Sequence, residues 1–176
     1  AEAAGIANPV NPLLEPHQIA EILEAANTKV LVALGPMPGT DIWEKVMKVR
    51  GQLKNLKAII QVAGPGDEAN GIYSFDALVA KQPHDRLVSG RTIKAEDTAA
   101  YFHTGGTTGT PKLVRHTHGN QVYQAWVCNL MLKSEPGTNI LFGMPLFHVG
   151  GSLTQALSTL SGGGNLVILS PAGWRN

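Results

Sequence analysis

Cysteine is nearly missing from this sequence: Cys128 is the only one in 176 residues. Its isolation excludes an intrachain disulfide framework and fits a reducing compartment, the cytoplasm. No apolar run reaches the length needed to cross a bilayer. The opening, "AEAAGIANPVNP", lacks the basic-then-apolar layout of a secretory signal. Charge is also scarce, at 15% of residues with a net value of +1. Such a balance gives no global field for nucleic acid or an anionic membrane surface, although a local group of donors can still bind a small anion. There are no internal repeats, and no low-complexity tract follows the Ala-rich opening.

What is present describes a globular protein. Apolar residues make up 43% of the chain, enough for one domain with its own core or for a piece of something larger. The chain starts without Met and ends on "SPAGWRN", directly after a predicted strand. Both ends therefore read as cut, and residues 1–176 are expected to form a single partial domain.

Apolar spacing alternates between helical and extended segments. In "EPHQIAEILEAAN", Pro16 sits in a first turn, where its missing N–H costs nothing, and Ile19, Ile22, Leu23 and Ala26 form a stripe. "KVLVAL" reads as a buried β-branched strand closed by the turn-rich "GPMPGT". Thr40 or Asp41 caps the next helix, "DIWEKVMKVRGQL", which carries Ile42, Val46 and Val49 on one face. The strand "LKAIIQV", the loop "AGPGDEANG" and a short helix around "SFDALVAKQ" follow. The polar segment "PHDRLVSGRTIKAED" is the best internal boundary, read as a linker within one domain.

The second half continues with the strand "AAYFHT", a return strand "KLVRHT" and the long apolar helix "HGNQVYQAWVCNLML". After these come the strand "NILFG", the helix "GGSLTQALSTL" and the strand "GNLVILS". The alternation predicts an α/β layered fold with a mainly parallel sheet flanked by helices. Ligands in such sheets sit beyond the strand C-termini, which is where "AAYFHT" runs into an unusual loop.

That loop lies within "YFHTGGTTGTPK". Gly105, Gly106 and Gly109 permit turns and close backbone approach that other residues resist. Successive N–H groups in such a turn can form an anion-binding concavity. Thr104, Thr107, Thr108 and Thr110 add hydroxyls, Pro111 stiffens the exit, and Lys112 supplies a mobile positive charge. These groups suit a polyphosphate, yet composition alone leaves room for an ordinary glycine-rich turn between two strands. The Walker-type P-loop is absent, because Pro111 precedes Lys112 and Leu113 follows it. The dinucleotide fingerprint is absent too, since the glycines read G-G-x-x-G.

The same stretch resembles the phosphate-loop signature of the adenylate-forming (AMP-binding) superfamily, whose usual form is Thr-Ser-Gly-Ser/Thr-Thr-Gly-x-Pro-Lys. It agrees at Thr104, Gly106, Thr107, Thr108, Gly109, Pro111 and Lys112, and departs at Gly105, where Ser is common. The departure removes a hydroxyl and leaves the backbone N–H. Upstream, "GIANPVNPLLEPHQIAEILEAANTKVLVA" resembles the Gly-x-x-x-Pro-x-Asn-Pro run that acyl-CoA synthetases place before a helix and strand. Downstream, "MPLFHVGG" resembles their Pro-Leu-Phe-His-x-x-Gly motif, which favours a CoA ligase, of the fatty-acid–CoA ligase kind, over a peptide-synthetase adenylation domain.

The resemblance implies an ATP-dependent carboxylate–CoA ligase that makes an acyl-AMP and then an acyl-CoA. Thr104 to Lys112 would bind the β- and γ-phosphates of Mg-ATP, and His148 would border the carboxylate pocket with Phe147 beside it. Lys112 and His148 are thus the catalytic candidates, and ATP, Mg²⁺ and CoA the implied cofactors of a longer parent. Family members carry adenine, ribose and metal contacts, and a small C-terminal domain, beyond the matching region. The chain is therefore expected to be an internal fragment of the large N-terminal domain, inactive by itself and, with apolar surface uncovered, self-associating. The rival is a non-catalytic α/β nucleotide-binding or scaffold domain.

Other residues read more plainly. His103, His116, His118 and His148 invite thoughts of a metal, but no acidic or thiol partner clusters with them, so no metal ligands are assigned. Cys128 reads as a buried small residue, and Trp43 and Trp126 as packing. Lys45, Lys48, Arg50, Lys54 and Lys57 read as a solvated face.

Overall fold

A computed structural model of the chain describes residues 5–86, 88–104 and 112–168. By contacts the chain divides into two compact units, Ala1–Pro9 with Arg91–Phe102 and Val114–Asn176, and Val10–Gly90 with His103–Leu113. The passage from one to the other at Gly90 and Arg91 falls inside the polar segment "PHDRLVSGRTIKAED".

The unit built on Val10–Gly90 begins with helix α1 (Pro16–Ala25), which has Pro16 at its N-terminus and a capping box between Glu15 and Gln18. Asn27, at φ 52°, turns the chain out of the helix. Strand β1 (Val30–Leu34) then pairs in parallel with β2 (Ala58–Val62), and β2 pairs in parallel with β3 (Ile72–Ser74). Between the first two strands, helix α2 (Ile42–Val49) tightens into a 3₁₀ turn over Arg50–Gln52. Asp41 stands at its N-cap without a side-chain cap, and the Thr40 hydroxyl accepts the Ile42 N–H at 3.3 Å instead. Helix α3 (Phe75–Ala80) closes the run, its start capped by Ser74.

The core of this unit follows from the helical stripes. Ala20 and Leu23 of α1 meet Val49 and Leu53, with Leu31 of β1 against them. Val46 meets Ile59 and Ile72, flanked by Ala33, Trp43 and Met47. The expectation of a fully buried β1 does not hold. It lies at the edge of the three-stranded sheet, and Val30 and Val32, which alternate with the packed Leu31 and Ala33, are about half exposed.

Strand β4 (Thr98–His103) pairs with β5 (Leu113–Thr117); all of both but His103 and Leu113 belongs to the other unit, where Ala7 bridges β4 in parallel at Ala100. Helix α4 (His118–Leu132) starts at a capping box of Thr117 and Asn120 and ends at Lys133, whose φ is 49°. Strands β6 (Asn139–Phe142) and β7 (Asn165–Ile168) pair in parallel. "GGSLTQALSTL" is helical as expected, but Gly150–Leu157 winds as a π-helix before the short α5 (Ser158–Ser161). Ala100 and Phe102 pack on Leu153, with Val149 and Leu157 around them. The architecture is α/β, with parallel strands flanked by helices, as the alternation of segments predicts.

Candidate functional site

Strand β4 is buried through Ala99, Ala100 and Phe102. At its end the Thr104 N–H donates to the Lys112 carbonyl at 3.0 Å. The Thr104 hydroxyl donates to the same carbonyl at 3.5 Å. These contacts tie the two ends of the loop together. Gly105, Gly106, Thr107, Thr108, Gly109, Thr110 and Pro111 lie outside the described residues. The side chain of Lys112 is exposed, and among the described residues no carboxylate pairs with it. A hydroxyl and an exposed ammonium at the two tied ends of the loop are chemically suited to a phosphate.

His148 belongs to the unit built on Val114–Asn176. Its chain segment is held by local bonds: the His148 N–H donates to the Pro145 carbonyl at 3.1 Å, and the His148 carbonyl accepts the Ser152 N–H at 2.9 Å and the Ser152 hydroxyl at 3.0 Å. The ring is held as well, because Nδ1 accepts the Gly150 N–H at 3.0 Å. With Nδ1 acting as acceptor, a neutral ring carries its proton on Nε2 and presents a donor there. His148 is exposed and Phe147 beside it half-buried.

Sequence reasoning singled out the histidine but missed its supports. Gly151 is the clearest of these: a Cβ at that position would fall 2.2 Å from the Pro145 carbonyl oxygen, so only glycine lets the turn close onto the π-helix. The Gly-Gly pair after the histidine was the available signal.

Other expectations fare unevenly. Lys45 is not on a solvated face: its side chain is 13% exposed, donates to the Pro12 carbonyl at 2.9 Å and pairs with Asp41 at 3.2 Å. Trp43 packs against the core, whereas Trp126 does not; it is 56% exposed beside Tyr123. Cys128 is buried, with the Gln124 side-chain amide 3.3 Å from its sulfur. His116 packs edge-on against Phe102, ring centroids 5.1 Å apart. Among the described residues no group of three or more His, Cys, Asp or Glu comes together as a metal site.

The sequence matches the model of the AMP-binding enzyme family over residues 1–175. The chain belongs to that family. This AMP-binding chain is 32% identical over 183 residues to the marinolic acid–CoA ligase of Pseudoalteromonas sp. (strain SANK 73390), covering 100% of itself and 27% of that relative. It is 29% identical over 174 residues to the crotonobetaine/carnitine–CoA ligase of Salmonella arizonae, covering 96% of itself and 32% of the relative. Among solved structures it is similar to the anthranilate CoA ligase AuaEII in complex with anthranoyl-AMP, with a TM-score of 0.82 at 24% identity, over 97% of this chain and 31% of that one. ATP-bound MatB from Rhodopseudomonas palustris has the same fold, with a TM-score of 0.72 at 20% identity, over 95% and 30% of the two chains. The AMP-binding chain thus spans about a third or less of the length of these relatives.

Proposed function

We propose that this AMP-binding chain is the phosphate-loop portion of an ATP-dependent carboxylate–CoA ligase that forms an acyl-AMP and passes the acyl group to CoA. The reading is supported most by one observation: the Thr104–Lys112 tie closes the base of a loop whose sequence is dense in phosphate donors, in a chain of this family. The similarity to named CoA ligases points to the same chemistry.

In the first step a carboxylate oxygen attacks the α-phosphorus of ATP and pyrophosphate leaves. An anion must approach a polyanion, and the leaving group gains charge as its bond breaks. Lys112, the Thr104 hydroxyl and the N–H groups of residues 105–110 would lie along the β- and γ-phosphates and offset that charge. Held by Gly150, the Nε2–H of His148 would donate to an oxygen of the acid and orient it. The thiol of CoA then takes the acyl group, and AMP departs. Because the described residues gather no carboxylate set, they give Mg²⁺ no all-protein seat; the ion would arrive on the phosphates of ATP.

The chain alone, at 27–32% of the length of its curated relatives, does not complete this reaction. It forms part of the large N-terminal domain of a cytoplasmic enzyme, and through the uncovered apolar groups of α4 it associates with itself. The test is pyrophosphate release with Mg-ATP, with and without carboxylic acids. The full-length protein should release pyrophosphate only when an acid is present, and the 176-residue chain should release none. A full-length protein that binds Mg-ATP but releases nothing with any acid would instead be a nucleotide-binding scaffold, and sustained turnover by the isolated chain would refute its inactivity.

A further inference from the structure

A recess lies at the C-terminal ends of the parallel strands β1 and β2, within the unit built on Val10–Gly90. A cavity of about 370 Å³ opens there, lined by Pro36, Trp43, Gln61, Pro65, Asp67 and Ile72 among others. This is the side of a parallel sheet on which ligands collect, and the volume sits at the small end of the ligand-pocket range. It shares no residue with the Thr104–Lys112 loop.

Gln61 makes the cavity more than a surface dent. The residue is only 6% exposed, a buried polar side chain at the penultimate position of β2. Its Oε1 accepts the Gly66 N–H at 2.8 Å and so holds the turn that follows the strand. Its Nε2 has no hydrogen-bond partner among the described residues, yet is not shut away from solvent. Two glycines make room for this amide. A Cβ at Gly64 would fall 2.3 Å from Gln61 Cδ, and one at Gly35 would fall 3.1 Å from Nε2. An amide donor that reaches solvent at the cavity wall can exchange water for a ligand's acceptor.

The rest of the lining selects the visitor. Trp43, Pro36, Pro65 and Ile72 offer apolar walls suited to a flat ring. Asp67 adds a carboxylate, which accepts from the Asn70 side chain at 2.6 Å and keeps further lone pairs open. Among the described residues no lysine, arginine or histidine lines the cavity, and Asp67 disfavours an anion there. We propose that this cavity binds a small, uncharged, planar carboxamide of single-ring size. The ligand's carbonyl oxygen accepts from Gln61 Nε2, its amide N–H donates to Asp67, and its ring lies against Trp43.

Nicotinamide is the probe and its isostere nicotinate, which exchanges the amide donors for a negative charge, the control. Each is titrated into the ¹⁵N-labelled 176-residue chain while the Gln61 side-chain amide and the Trp43 indole N–H are followed by NMR. Nicotinamide should give saturable shifts at these two groups, and nicotinate should bind about tenfold or more weakly. Gln61→Glu keeps an oxygen for the Gly66 N–H but replaces the donor with an acceptor, and should weaken nicotinamide by about tenfold. Should that variant fail to fold, Asp67→Asn at an exposed position serves in its place, and it should narrow the gap between the two probes. Equal binding of both probes, shifts confined to other residues, absence of binding, or a gap unmoved by Asp67→Asn would each overturn the proposal.

Discussion

Gly66 has a φ of +76°, and a Cβ there would sit 2.6 Å from the Ser74 backbone nitrogen. An L-residue at this point would combine an unfavourable backbone region with a steric clash against main chain that cannot step aside. Gly66→Ala should therefore cost about 1–3 kcal/mol of stability. Gly51→Ala, where nothing lies within 4 Å, should change stability by no more than about 0.5 kcal/mol. Urea unfolding of the two variants checks this, and equal midpoints would contradict the packing described for the turn after β2. At this scale the sequence was readable only where a residue's role is local. Pro16 announces a helix start by its own chemistry, whereas Thr117, read as the end of a strand, turns out to cap α4. Lys45 did not reveal its burial, because the Pro12 carbonyl it serves lies 33 positions away. Gln61 gave no sign of its role either, since what distinguishes it is the space left by Gly35 and Gly64.

Among the elements, α1, α2 and α4 were legible because their apolar residues recur with helical spacing and their ends carry caps or breakers. Strand β3 was not. It has three residues, Ile72–Ser74, and exists as a strand through its pairing with Ile59, Ile60 and Gln61 of β2. The winding of Gly150–Leu157 was also hidden, since apolar spacing indicates a helix but does not distinguish a π-winding from an α-helix. Helix α4 shows the opposite case, a pattern that was clear while its burial was not. Ala125 and Cys128 are buried, but Val122, Tyr123, Trp126, Leu130 and Met131 are each more than half exposed. Apolar groups gathered this way favour association with a second copy. Sedimentation of the chain should show concentration-dependent self-association that the double variant Trp126→Lys, Met131→Lys shifts towards monomer. A wild-type chain that stays monomeric at all concentrations would remove the role given to this face.

For the molecule as a whole, the α/β class was legible in the alternation of helical and extended segments, and the family in three stretches: the Gly/Thr loop, the upstream Asn-Pro run and "PLFH". Family membership is established over residues 1–175, and the relatives sharing the fold are about three times as long or longer. What one sequence could not convey is how the candidate residues are held, because Thr104, Lys112 and His148 take their places from backbone bonds to Lys112, Thr104 and Gly150 that no motif spells out. The most direct measurement is carboxylate-dependent pyrophosphate release by the full-length protein carrying Lys112→Ala, with its melting temperature recorded alongside. An exposed lysine acting on phosphate charge predicts a fall in kcat on the order of 10²-fold with an unchanged melting temperature. Release at the parental rate would contradict the assignment of this loop to the phosphates of ATP.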